Sequence, residues 1–246
     1  MFWRFQVIFR LLYIGMILGL ITQPGFSQSE TDIRKQLWLD INPVWFANPN
    51  LEVLGDVGLR KEFESKGISR FVVRPGIRYH LTRGIFLTGG IGSFYTFNEI
   101  IANRWEFRPY QGFLTSWPRG KIPVQHYLRL EERFDFDTQT WNSANSIRLR
   151  YRLRPRLQFS ARQPDRFWRI FASIEGFVTL AGEQGQSREQ VRTTAAVERN
   201  FKRGRRLRFQ ITWQKEGLFF LSDKSVNDIF IRVRFYNTFG RTKIDY

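Results

Sequence analysis

From Ile147 to Phe159 apolar and polar residues alternate without a break. One parity reads Ile147, Leu149, Tyr151, Leu153, Pro155, Leu157, Phe159. The other reads Arg148, Arg150, Arg152, Arg154, Arg156, Gln158. In an extended strand successive side chains point to opposite faces, so this segment has one greasy face and one densely cationic face. Wound into a helix, the same arginines would scatter around the axis and leave no apolar stripe. A soluble sheet seldom uses so strict a division. A membrane-spanning barrel does, because hydrocarbon meets one face and the lumen meets the other.

The same design recurs from about residue 36 to about residue 237. Leu39, Ile41 and Trp45 oppose Trp38, Asp40 and Asn42, and the turn signal Asn48-Pro49-Asn50 follows. Leu51, Val53, Val57 and Leu59 oppose Glu52, Asp56 and Arg60. Phe71, Val73, Ile77 and Tyr79 oppose Arg70, Arg74, Arg78 and His80. The segment from Ile85 to Phe97 carries Gly89, Gly90 and Gly92, as expected where a sheet bends or backbones approach closely. Further alternating segments are Arg104–Leu114, Val124–Phe134, Phe167–Val178, Val191–Phe201, Arg206–Gln214 and Ile229–Asn237. That makes eleven by inspection.

Antiparallel closure with both chain ends on one side needs an even number. The expectation is therefore an all-β chain forming a single antiparallel up-and-down transmembrane barrel of ten to twelve strands, twelve favoured, with a missed strand near Leu218–Leu221. The connections are at odds with this. Asn48–Asn50, Leu81–Gly84 and Lys202–Arg205 are short, whereas Asp135–Asn145 and Gly217–Asn227 are long. Short turns normally face the periplasm, yet a periplasmic N-terminus puts the first short turn outside.

The first residues read as an export signal. Arg4 and Arg10 precede the apolar run Leu11–Ile21, Pro24 breaks it, and Gly25-Phe26-Ser27 offers small residues for a peptidase. Cleavage after Ser27 divides the chain into a signal peptide, 1–27, and a barrel domain, 28–246, and lowers the formal charge from +17 to +15. The bland alternative is an uncleaved anchor, for which the run is short. No later segment approaches the ~20 apolar residues of a transmembrane helix. Cysteine is absent, which excludes disulfides, thiolate metal sites and lipoprotein processing.

Side chains two apart on a strand stand roughly 6–7 Å apart on one face, so a bare row of guanidinium groups repels itself. Neighbouring segments supply carboxylates at the same parity. The predicted lumen network is Arg74, Arg78, Glu106, Arg108, Arg129, Glu131, Arg133, Arg148, Arg150, Arg152, Arg154 and Glu175, with Glu198 also at inward parity. Arginine suits this role because its planar fork binds a carboxylate bidentately and keeps its charge. Two uses remain open: the polar filling of a small barrel, or a path for a small anionic solute. Trp45, Trp105, Trp117, Trp141, Trp168 and Trp213 fit interfacial girdles, or a core if the protein is a soluble sandwich.

Several residues resemble a known family. They are Glu106-x-Arg108-x-x-Gln111, His126-x-x-Arg129-x-Glu131-x-Arg133-Phe134, Arg148-x-Arg150-Tyr151-Arg152 and Glu175, with Trp38-x-Asp40-x-Asn42-Pro43 and Arg74-Pro75-Gly76-x-x-Tyr79 nearer the N-terminus. The sequence is similar to the domain of unknown function 2490 family, thought to be bacterial outer-membrane β-barrels. The resemblance implies a barrel and an envelope location, and implies no activity.

The leading reading is an outer-membrane barrel of structural or transport-like role, with no cofactor and no metal. Membrane lipid would surround it, and lipopolysaccharide would suit exposed basic loops. Nucleic acid does not fit, because export removes the chain from it. A lipid hydrolase or acyltransferase is a competing class: His80 has inward parity, and His126 shares parity with Leu128 and Leu130. No G-x-S-x-G, H-E-x-x-H or P-loop supports it. An exported soluble β-sandwich or lipocalin-like binder is the third reading, and it requires the apolar parity inside and the arginines outside.

Overall fold

The computed structural model describes residues 33–64, 67–82, 84–99, 101–116, 124–163, 166–182, 189–216 and 227–240. The expected signal peptide, the extra strand at Leu218–Leu221 and Trp117 lie outside these residues. Within them the chain is all strand and turn. In order come β1 (Ile33–Asn48), β2 (Leu51–Leu54), β3 (Val57–Glu62), β4 (Arg70–Val73), β5 (Gly76–Thr82), β6 (Ile85–Thr96) and β7 (Arg104–Ser116). Then follow β8 (Val124–Asp137), β9 (Ser143–Gln163), β10 (Arg166–Gly182), β11 (Gln190–Asn200), β12 (Arg205–Glu216) and β13 (Asn227–Phe239).

Each strand from β6 to β13 pairs antiparallel with the next, and β13 returns to pair with β1. The ring is closed, so the wall has no raw edge. β2 and β3 are two halves of one wall strand, since both pair with β1. β4 and β5 are likewise halves of the next, since both pair with β6. Counted as wall strands, the thirteen segments make eleven.

The interruptions have a local cause. Prolines 43, 75 and 109 cannot donate to a ladder. At the break the Gly55 amide donates to Pro43 O (2.8 Å), the Arg74 amide to Asp56 O (2.7 Å) and the Ile91 amide to Pro75 O (3.1 Å). The kink thus runs sideways from β1 to β6, and side-chain parity survives it: Glu52, Asp56 and Gly58 are all buried on the inner face. Tyr110 lies over this kink, with its ring against the inner faces of Gly76 and Gly90, where no Cβ occupies the space.

Eleven strands fall within the expected ten to twelve, one short of the favoured twelve. The closure is also parallel, where a purely antiparallel ring was expected: Ile33 pairs with Asn227 and Trp45 with Phe239, in unbroken register. The reason is arithmetic. Each connection reverses the chain, so after eleven passes the last strand runs the same way as the first. The mixed sheet also resolves the conflict over the connections. The strand ends that flank 49–50, 83–84, 117–123, 164–165 and 201–204 are at one end of the wall. The strand ends that flank 63–69, 97–103, 138–142, 183–189 and 217–226 are at the other, together with Ile33. The short turns share one end, and β1 starts at the opposite one.

The wall is apolar outside and charged inside. Ile41 is 60% exposed and Ile211 62%, whereas Glu131 and Glu198 are the most buried large side chains, at 0% and 1%. Trp45, Trp141, Trp168 and Trp213 stand on the outside; Trp38, on the inner parity, is buried and stacked on Phe230. A soluble sandwich needs the opposite arrangement, so the requirement of the third sequence reading is not met.

Candidate functional site

The lumen encloses a cavity of about 1820 Å³. Its lining runs from Arg34, near the start of β1, to Phe46, near its end. Strand parity alone explains the lining. Arg148, Arg150, Arg152 and Arg154 recur every second residue on β9, so all four enter the lumen, while Leu128 and Tyr151 face out.

Nine of the twelve predicted residues form one connected network across β7 to β10. Glu131 is its hub: it accepts from Arg108 (3.4 Å), from Nε of Arg148 (2.9 Å) and from Arg129, with Arg150 at 3.9 Å. Glu106 binds Arg108 (2.5 Å) and Arg133 (2.6 Å). Glu175 binds Arg150 (2.8 Å) and Arg152 (3.3 Å) and reaches Arg192 on β11 at 3.7 Å. The other three stand apart. Arg74 pairs with Asp56, Arg78 with Glu52 (2.9 Å), and Arg154 donates to the neutral side-chain oxygen of Gln125.

The network has three glutamates to seven arginines when Arg192 is included. Among the described residues lining the whole cavity there are 22 arginines and lysines against nine aspartates and glutamates. Taking charges out of water costs several kcal/mol per ion, which Coulomb attraction offsets only where partners are well placed. Aromatic faces take up part of the cation excess. Arg60 lies 3.7 Å from the Trp38 ring, Arg152 4.9 Å from Tyr127, and Arg192 4.9 Å from Phe177. A guanidinium stacked in this way keeps its N–H edges available to a ligand. Arg60, Arg70, Arg154 and Arg206 have no carboxylate within salt-bridge distance among the described residues.

Sequence reasoning left out one further cluster. Asp40 binds Arg232, and Asp56 binds Arg74, Arg234 (3.3 Å) and Arg232 (3.6 Å). These residues have the right parity in the sequence. Their meeting depends on β13 returning to β1, and no local spacing reveals that.

The two histidines fall on opposite faces. His80 Nε2 lies 2.5 Å from Glu52 inside the barrel, edge-on to Phe86, and no serine or threonine side chain hydrogen-bonds it among the described residues. His126 contacts the Tyr151 hydroxyl (2.7 Å) on the outer face. No group of three His, Asp or Glu side chains that could hold a metal occurs among the described residues.

A family model matches the sequence over residues 35–227, from β1 to the first residue of β13. The chain belongs to the DUF2490 family, whose description is a protein of unknown function. No curated protein matches it. In this DUF2490 protein the matched span holds the whole Glu106–Glu131–Glu175 network, while the closing arginines Arg232 and Arg234 lie just beyond it.

Proposed function

We propose that this DUF2490 protein spans the bacterial outer membrane as an eleven-stranded barrel and that its arginine-lined interior is an aqueous path for small anions. The observation that carries the reading is the inverted distribution of side chains. Twenty-six large apolar side chains stand exposed on the outer face of the described strands, around a lumen with 22 cationic residues against eleven acidic ones, the nine of the cavity lining together with Asp40 and Glu131. A water-soluble monomer rarely exposes a contiguous apolar patch beyond a few hundred Å². Hydrocarbon is the solvent in which such a surface is stable, and a closed ring is one of the two backbone arrangements that satisfy every peptide group there. The expected export signal and the short-turn end, taken as periplasmic, fit the same location.

The lumen charge gives the path its sign. Low-dielectric walls focus the field of unbalanced guanidinium groups and raise the local concentration of anions. The test has two stages. Extraction of native membranes with carbonate should leave the protein in the pellet, and detergent should release it; release by carbonate alone overturns the membrane assignment. Purified protein in planar bilayers under a potassium chloride gradient should then give a reversal potential of anion-selective sign. A reversal potential of cation-selective sign, or the absence of conductance, overturns the anion path.

A further inference from the structure

The arginines of the lumen are not equally provided for. On β9, β12 and β13 four of them share two aromatic rings. Arg154 lies 5.5 Å and Arg208 4.5 Å from the ring of Phe171. Arg208, Arg206 and Arg234 lie 4.8, 4.7 and 5.3 Å from the ring of Tyr236. The rings therefore hold four positive charges in one part of the wall, toward the short-turn end.

Their partners are few. Glu198 accepts two bonds from Arg208 (2.8 and 2.5 Å) and one from Arg169 (3.0 Å). Arg234 bonds the side-chain oxygen of Asn42 (3.0 Å) and reaches Asp56. Among the described residues, Arg154 has the neutral oxygen of Gln125 and the Phe171 ring, and Arg206 has the Tyr236 ring; neither has a carboxylate within salt-bridge distance. The adjoining β11–β12 turn adds Lys202 and Arg203 to the cavity lining, and the first residue of β12 adds Arg205, with no acid among them. The opposite end differs: there Arg34 has Asp228 (2.8 Å) and Arg104 has Asp135 (2.6 Å).

We propose that Arg154, Arg206, Arg208 and Arg234, held around Phe171 and Tyr236, form a binding station for a multiply charged oxyanion of the phosphate class. Stacking holds the guanidinium planes; Arg154 and Arg208 each turn Nε and one Nη to Gln125 and Glu198, which leaves their other Nη, and the fork of Arg206, for a ligand. Several neighbouring guanidinium groups suit the several oxygens of phosphate or a phosphate monoester, which a spherical halide cannot exploit. The station deepens the reading of the lumen as an anion path and rests on it.

The test uses the full chain refolded in detergent and titrated calorimetrically with inorganic phosphate at constant ionic strength. Saturable binding is expected, and R154Q/R206Q should weaken it by about tenfold or more, the scale of losing charge-assisted hydrogen bonds. Arg206→Lys keeps the charge and removes the fork, and it should also weaken binding, so the result stands if the double variant fails to fold. Arg104→Gln, at the other end, should bind phosphate as the parent does. Absence of saturable binding in the parent overturns the station, and so does an equal loss in Arg104→Gln, which would make lumen charge as a whole responsible. Bilayer recordings separate this from the broader reading. Phosphate binding without any conductance removes the path and keeps the station; chloride conductance that is insensitive to phosphate, with no calorimetric binding, does the reverse.

Discussion

Glu131 is a fully buried carboxylate facing four guanidinium groups, and its environment makes a sharp prediction. Removing one member of a buried charge cluster leaves the others uncompensated, at about 3–5 kcal/mol. Glu131→Gln should therefore lower the urea midpoint at which the folded, faster-migrating gel band disappears. Arg78→Gln, whose side chain is a third exposed beside Glu52, should shift it far less. A Glu131→Gln barrel as stable as its parent would mean that the network is solvated and the cluster energetically slack. This residue-scale feature was legible in the sequence: parity alone put Glu131 among arginines on its own and both neighbouring strands. The Asp40–Arg232 and Asp56–Arg234 pairs were not, because their strands are remote in the chain and meet only once the ring is closed.

The strands themselves were easy to read wherever charge and apolar side chains alternate, as on β9 and β12. The sequence segments agree with the observed strands to within a few residues. The break between β4 and β5 was harder, because alternation continues through it and only Pro75 marks the lost donor. Its packing carries a second prediction. A Cβ added at Gly90 would lie 2.5 Å from both the carbonyl oxygen of Pro75 and the hydroxyl of Tyr110. A backbone oxygen cannot step aside as a flexible side chain can. Gly90→Ala should cost about 1–3 kcal/mol, the range for overpacking, read as a lower unfolding midpoint. The seam between β1 and β13 gives a third. Leu39 stands opposite Val233 in parallel register, both on the outer parity. In a chain with no native cysteine, L39C/V233C should cross-link on oxidation and change the gel mobility of the unfolded chain. An even-stranded ring closed antiparallel would bring other residues to that seam and give no such product.

For the molecule as a whole, the odd strand count puts the start of β1 and the end of β13 at opposite ends of the wall. In the outer-membrane reading proposed above, with the short turns toward the periplasm, the exposed turn at Gln139 would face the cell exterior and the one at Asn50 the periplasm. A membrane-impermeant maleimide should label Gln139→Cys on intact cells and Asn50→Cys only after the outer membrane is permeabilised. The reverse pattern would mean that connection length does not set the topology here. The parallel seam has one more consequence. Arg34 and Asp228 clasp across it although 194 positions separate them along the chain. If the barrel sits in a bilayer as proposed, a polypeptide that stopped short of Asn227 would leave β1 and β12 with a row of bare amides and carbonyls in hydrocarbon, where no water can relieve them. In the membrane proposed above, such a ring has no viable half.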